Sequence, residues 1–178
     1  MKSILKKINI NNHGFTLLEM LFAVIIFSFA LVSLMTIAGK GVIATASARD
    51  QLVAQFLAEE SLEVVRNIRD SNYINGSNSW IDGLTECVDS ATCDIEYVAN
   101  AKPIMVVCPA NDCSGRLLFN NNGQFRPEPV GTATTFWREI KITSITPDSE
   151  LVLESTVHWR QKTINRSMTV TTRIADWQ

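Results

Sequence analysis

Residues 15–40 read FTLLEMLFAVIIFSFALVSLMTIAGK, and between Phe15 and Ala38 the only ionisable side chain is Glu19. Met20 to Gly39 contains none. A helix rises about 1.5 Å per residue, so Leu17 to Ala38 would cover roughly 33 Å, enough for a hydrocarbon core of ~30 Å. The stretch predicts a membrane-length helix near the start of a 178-residue chain, with length left for one domain of ordinary size behind it. Lys2, Lys6 and Lys7 precede the apolar run, and the next charge after Glu19 is Lys40. That asymmetry favours a cytoplasmic N-terminus, with everything after Lys40 outside the cytoplasm.

Upstream, residues 1–14 are short and basic and end in the polar Asn11-Asn12-His13-Gly14. A secretory signal is cut after its apolar region, at a small-residue motif. Here the candidate junction precedes the apolar run, so the run would be retained. Losing the three leader lysines takes the formal net charge from −2 to −5. Glu19 is the informative residue. A carboxylate in an apolar segment costs about 2.5–3.5 kcal/mol at the bilayer centre and less near an end, and is by default a functional-site candidate. The plainer reading places it at headgroup depth, marking the helix start.

Gly14-Phe15-Thr16-Leu17-Leu18-Glu19 resembles the type IV prepilin processing motif: glycine, phenylalanine, then glutamate four residues on, ahead of a span-length apolar helix. The resemblance implies cleavage between Gly14 and Phe15 by a cytoplasm-facing prepilin peptidase, which then N-methylates Phe15. It also implies that Glu19 pairs with the N-terminal ammonium of a neighbouring subunit in a filament. Charges in a low-dielectric helix bundle need opposite partners, and removing one leaves the other stranded at several kcal/mol. The partners implied are other pilin subunits, the peptidase/methyltransferase and an inner-membrane assembly platform. The location implied is the bacterial inner membrane before assembly, and a periplasmic or cell-surface filament afterwards.

Helical character is expected to continue past Lys40. Val42 to Asp70 has neither proline nor glycine, and Leu52, Val53, Phe56, Leu57, Leu62, Val65 and Ile68 recur near a 3.6-residue period. Core packing is the simplest account of that stripe. Glu63 with Arg66, and Arg66 with Asp70, have the spacing of helix-surface ion pairs. Phe15 to Asp70 would make a helix of roughly 84 Å, with Gly39 and Gly41 as candidate bend or melting points. The stretch from Ala58 to Asn67, AEESLEVVRN, resembles PilV-type minor pilins and related pseudopilins. The span lacks the helix-breaking proline common in major pilins, which points the same way. The organisation expected is a leader at 1–14, a span or filament-core helix at 15–40, an amphipathic helix at 41–70 and an extracytoplasmic β-sheet domain at 71–178.

Ser71 to Gly83, rich in Asn, Ser and Gly, reads as a loop. Beyond it, period-2 patterns appear. Phe136, Arg138, Ile140 and Ile142 share one strand face, and Leu151, Leu153, Val157 and Trp159 another. Ile164, Met168, Val170 and Ile174 line a last strand, joined to its predecessor by Gln161-Lys162-Thr163 as a hairpin. Shorter candidates are Ile104–Val107, Leu117–Phe119 and Gln124–Arg126. The fold class is therefore α+β: a long N-terminal helix packed on a C-terminal antiparallel sheet, a type IV pilin-like layout.

Cys87, Cys93, Cys108 and Cys113 lie close together in a loop-rich stretch. An even count outside the cytoplasm suggests two disulfides, with local closures Cys87–Cys93 and Cys108–Cys113 favoured among the possible connectivities. A zinc site is the rival, but ligand pairs usually stand about two to four residues apart, which only the second pair fits. No cofactor or metal is implied. His158 is the one histidine outside the leader and reads as a surface residue, leaving little scope for a Ser-His-Asp or Cys-His arrangement. No basic stripe interleaved with aromatics suggests nucleic acid. A filament subunit leads: a minor pilin first, a type II secretion or competence pseudopilin next. A membrane-tethered binding or adhesion domain is the rival of another class, and an enzyme is disfavoured.

Overall fold

The structure is a computed structural model that describes residues 14–97, 102–146 and 149–176. It falls into two compact units that divide after Thr45. One helix, α1 (Leu17–Ile74), enters both. The strands are β1 (Cys93–Glu96), β2 (Ile104–Val107), β3 (Phe119–Asn121), β4 (Gln124–Arg126), β5 (Thr132–Ala133), β6 (Phe136–Thr146), β7 (Glu150–Gln161) and β8 (Ile164–Ala175).

Helix α1 runs unbroken through Gly39 and Gly41, so neither is the bend expected of it. Two isolated glycines weaken a helix by roughly 0.5–1 kcal/mol each, too little to break it when its hydrogen bonds continue on both sides. The helix also passes Asp70, the expected end, and takes Ser71 to Ile74 from what reads as loop. Gly76 supplies the stop. It adopts φ +65°, a left-handed conformation that glycine takes without strain. Its N–H donates to Tyr73 O at 3.2 Å and the Ser77 N–H to Asn72 O at 2.9 Å, which satisfies two terminal carbonyls.

In the second unit α1 buries Ala54, Leu57, Ala58, Ser61, Leu62 and Val65. Of the apolar stripe read from sequence, Leu57, Leu62 and Val65 are in the core, and Val53 and Ile68 pack at its margin. Leu52 and Phe56 are exposed instead. They sit on the opposite side of the helix, and the small residues Ala54, Ala58 and Ser61 replace them in the core. A large side chain at those three positions would hold the helix off the sheet. Ser61 Oγ reaches across to Ser155 Oγ at 2.6 Å. Each Leu or Val buried here contributes about 1.5–3 kcal/mol relative to an exposed one.

The main sheet is antiparallel, in the order β2-β1-β6-β7-β8, and a smaller sheet has the order β4-β3-β5. The alternating residues of β6 and β7 point as expected, with Phe136, Arg138, Ile140 and Ile142 and then Leu151, Leu153, Val157 and Trp159 buried. Ser155 is buried in the same row. In β8, Met168, Val170 and Ile174 meet the core, but Ile164 is exposed beyond its end. The β7–β8 loop is two residues, Lys162-Thr163, with Lys162 at φ +56°. β3 lies two residues later than the expected Leu117–Phe119. Leu118 is instead held by its own N–H to Phe136 O at 2.8 Å and by its carbonyl to Thr134 N at 3.1 Å. β1 and β5 were not expected at all.

The cysteines form two disulfides, Cys87–Cys93 and Cys108–Cys113. The first ties the loop after α1 to the start of β1, and the second closes the turn that follows β2. Glu63 and Arg66 pair at 3.2 Å. The expected Arg66–Asp70 pair is replaced: Arg66 Nη2 donates to Thr172 Oγ1 at 2.9 Å, and Asp70 takes Arg69 Nε at 2.8 Å.

At the seam between α1 and the sheet lies a polar cluster. Arg138, on the apolar face of β6, and Asp94, on β1, are both fully buried, with Nε to Oδ1 at 3.0 Å. The second oxygen of Asp94 accepts from Arg116 Nε at 3.2 Å, and Arg116 also reaches Glu96 at 3.4 Å. Arg138 Nη1 donates to Leu57 O of α1 at 3.4 Å and stands 3.8 Å from Glu60. Tyr97 OH donates to the Glu60 carboxylate. Burial, followed by that bond to an anion, raises the Tyr97 phenol above its usual range.

Two predictions follow from this seam. Arg138→Met leaves the buried Asp94 with Arg116 as its remaining cationic partner and should destabilise the chain by up to about 3–5 kcal/mol, whereas Asp94→Leu/Arg138→Met should recover part of it. Chemical denaturation of the full chain in detergent measures both. A phenol whose pKa is raised in the native state contributes stability below its unfolded value of about 10 and loses it as pH rises above that. Stability should therefore fall in alkali, and Tyr97→Phe should flatten the fall; an unchanged slope would remove Tyr97 from the account.

Candidate functional site

The first turn of α1 is set by Thr16. Gly14 to Thr16 are non-helical, and the helix starts at Leu17. Thr16 Oγ1 accepts the Glu19 N–H at 3.3 Å, and its carbonyl accepts the Met20 N–H at 3.2 Å. Thr16 is thus the N-cap, and Glu19 stands in the first turn, where the positive end of the helix dipole favours a carboxylate. Threonine followed three residues later by glutamate is a recognised helix-start pattern. Thr16 was legible on that ground, though the reading singled out only Gly14, Phe15 and Glu19.

The cap has a steric consequence. It leaves the Gly14–Phe15 peptide outside the helix, with Phe15 exposed and open space around Gly14. A protease needs an accessible peptide outside regular structure, and Gly14–Phe15 meets that need.

Every residue from Gly14 to Ala46 is exposed. The large apolar side chains from Leu17 to Ile37 are therefore open to the surroundings. Among the described residues α1 is the one helix long and apolar enough to cross a membrane. Its few polar groups are disposed accordingly. Ser28 Oγ donates to Val24 O at 2.7 Å, Ser33 Oγ to Phe29 O at 2.9 Å and Thr36 Oγ1 to Val32 O at 2.8 Å. Each hydroxyl is satisfied within the helix and can enter an apolar medium cheaply. Glu19 is the exception between Leu17 and Ala38: among the described residues its carboxylate has no hydrogen-bonding or ionic partner.

The second unit offers less chemistry. A cleft of about 550 Å³ lies between α1 and the β3–β4 hairpin and is lined by Phe56, Glu60, Tyr97, Phe125 and Arg126 among others. Glu60 and Tyr97 are engaged with each other, and the Arg126 guanidinium sits 5.0 Å from the Tyr97 ring centroid. His158 is half-buried rather than a free surface residue. It stacks on Trp137 at 5.1 Å, with Nε2 3.7 Å from Glu139. Among the described residues no group of three or more potential metal ligands occurs.

Residues 9–35 match the prokaryotic N-terminal methylation motif family. No curated protein and no solved structure is significantly similar to the chain. Motif and fold together support a type IV prepilin- or pseudopilin-type protein: a long N-terminal helix packed on an antiparallel sheet, headed by the methylation motif. That motif implies processing by prepilin peptidase and assembly with other pilin subunits.

Proposed function

We propose that this chain is a structural subunit, a minor pilin of a type IV pilus, cleaved between Gly14 and Phe15 and methylated on Phe15. The observation that carries the proposal is the solitary carboxylate. Glu19 lies in a span whose other polar side chains are satisfied internally, and it has no partner among the described residues, so a neighbouring molecule can supply one. Cleavage would create one, the ammonium of Phe15. In its own chain that amine lies ahead of the N-cap Thr16, outside the helix; in a neighbour it can meet Glu19 across a helix–helix contact.

In this reading the leader is 1–14, the span or filament core is 15–40, and 41–70 continues the helix onto the extracytoplasmic domain of 71–178. The N-terminus faces the cytoplasm until an inner-membrane platform extracts the chain into a filament. The segment from Ala58 to Asn67 supports the minor-pilin assignment by resemblance. Its Ala58, Ser61, Leu62 and Val65 are core residues of this fold, so what it shares with such proteins is helix–sheet packing. Type II secretion and competence pseudopilins use the same leader, carboxylate and helix.

Intact mass and terminal peptide sequencing of the protein from its native host should find a chain beginning at Phe15 with one added methyl. A mature envelope protein still starting at Met1 would sink the processing proposal. Glu19→Ala should insert in the membrane as well as the parent, since it removes a charge. It should nevertheless enter sheared filaments poorly, and undiminished incorporation would show that the carboxylate has no part in assembly.

A further inference from the structure

A cleft of about 400 Å³ opens at the C-terminal end of α1, between the loop that leaves the helix and the residue that follows β8. Asn72, Tyr73, Ser77, Asn78, Trp80 and Asp176 line it, and it lies wholly within the second unit. Its volume falls in the range of about 300–1,000 Å³ typical of small-molecule sites. Among the described residues the lining holds one charged side chain, Asp176, and no lysine, arginine or aliphatic group. The Asn-, Ser- and Gly-rich stretch after α1 is thus more than a connector. It supplies amides and hydroxyls to a concave surface, as functional loops do.

Hydrogen bonds hold the cleft in shape. Asn72 Nδ2 donates to Trp80 O at 3.1 Å and to Asp82 O at 2.8 Å, which folds the loop back on the helix. Both amide hydrogens are then used, and Asn72 Oδ1 is left as an acceptor. Asp176 is fixed through its main chain, where its N–H donates to Ser149 O at 2.9 Å. Its Oδ1 is buried and has no hydrogen-bond partner among the described residues. A buried acceptor without a donor is costly, so this oxygen marks where a ligand hydroxyl would be held. Tyr73 is 44% exposed, which leaves an aromatic side chain of the lining available for contact.

Amides, hydroxyls and a carboxylate beside aromatic rings suit a ligand that carries hydroxyls around an apolar C–H face. A pyranose is built that way. A phosphate or nucleotide would meet a carboxylate and no cation, and an apolar peptide would meet no aliphatic wall. We propose that this cleft binds a neutral pyranose, with Asp176 and Asn72 holding its hydroxyls and Tyr73 packing on its C–H face. The Asp176 carboxylate accepts from hydroxyls and repels a second anion, so uronates and sialylated sugars are excluded. The pyranose can be free or the terminal residue of a glycan. The proposal uses neither Phe15 nor Glu19, so its failure would leave the processing and assembly reading untouched.

The test applies the full chain, in a detergent without a sugar headgroup, to an array of immobilised neutral, sialylated and uronate-containing oligosaccharides. Binding should be confined to neutral members. Free methyl pyranosides that displace the chain as well as the matched oligosaccharide does would identify a single-ring ligand. Displacement by the oligosaccharide alone would identify a glycan end, and either result supports the site. Asp176→Asn and Tyr73→Ala should each weaken binding by about tenfold or more. Tyr73→Phe, which keeps the ring, should bind like the parent. All three should keep the parent's melting curve, since the Asp176 Oδ1 has no partner to lose and Tyr73 is exposed. A parent that binds no neutral member overturns the proposal. So does equal binding of acidic members, or binding that survives both Asp176→Asn and Tyr73→Ala.

Discussion

Everything in this chain is organised by the fact that one helix must satisfy two solvents. From Ala46 onward α1 has a sheet to cover it, and its inward face is built from small residues and leucines sized to that contact. From Leu17 to Ala38 its side chains are exposed, and the sequence adapts by removing polar groups or folding them back onto the helix. Ser28, Ser33 and Thr36 each return their hydroxyl to the preceding turn. What remains is a surface that water rejects and that lipid or other helices accept, with Glu19 as its one outstanding electrostatic obligation.

The seam between α1 and the sheet solves a different problem. An entirely apolar contact would permit sliding by a turn or rotation by a residue at modest cost. The buried Asp94–Arg138 pair, with its bonds to Leu57 O and to Arg116, allows one alignment, because any other strands a charge. A buried ion pair contributes little net stability against an apolar substitute, and its best-supported use is to specify register. Here it ties the helix, β1, β6 and the loop carrying Arg116 together at one point.

Much of this was legible beforehand, and what was not has physical reasons. Residues 15–40 announce a long apolar helix by length and composition alone, and α1 runs through them from Leu17. The alternation in β6 and β7 is clear because those strands are long and one-sided. β1 was hidden because it is short, begins at a disulfide cysteine and is buried throughout most of its length, so it has no period to show. Arg138 was placed on the correct face, but its partner lies 44 residues earlier in the chain and no local pattern joins them. Leu52 and Phe56 misled because hydrophobicity shows that a residue avoids water, not which of two faces of a helix is the covered one. The small residues that do line the contact carry almost no signal of their own.

The side-chain bonds that join α1 to the last two strands have a consequence in the order of synthesis. Ser47 meets Gln161, Ser61 meets Ser155 and Arg66 meets Thr172, across 114, 94 and 106 residues respectively. Of the described elements the helix is made first, and β7 and β8 last. A chain interrupted anywhere before residue 150 has α1 in place but lacks Leu151, Leu153, Val157 and Trp159 from the cover of Leu57, Leu62 and Val65. The helix–sheet seam can close in full only after β7 and β8 have been made, so a closed seam marks a chain synthesised at least through β8.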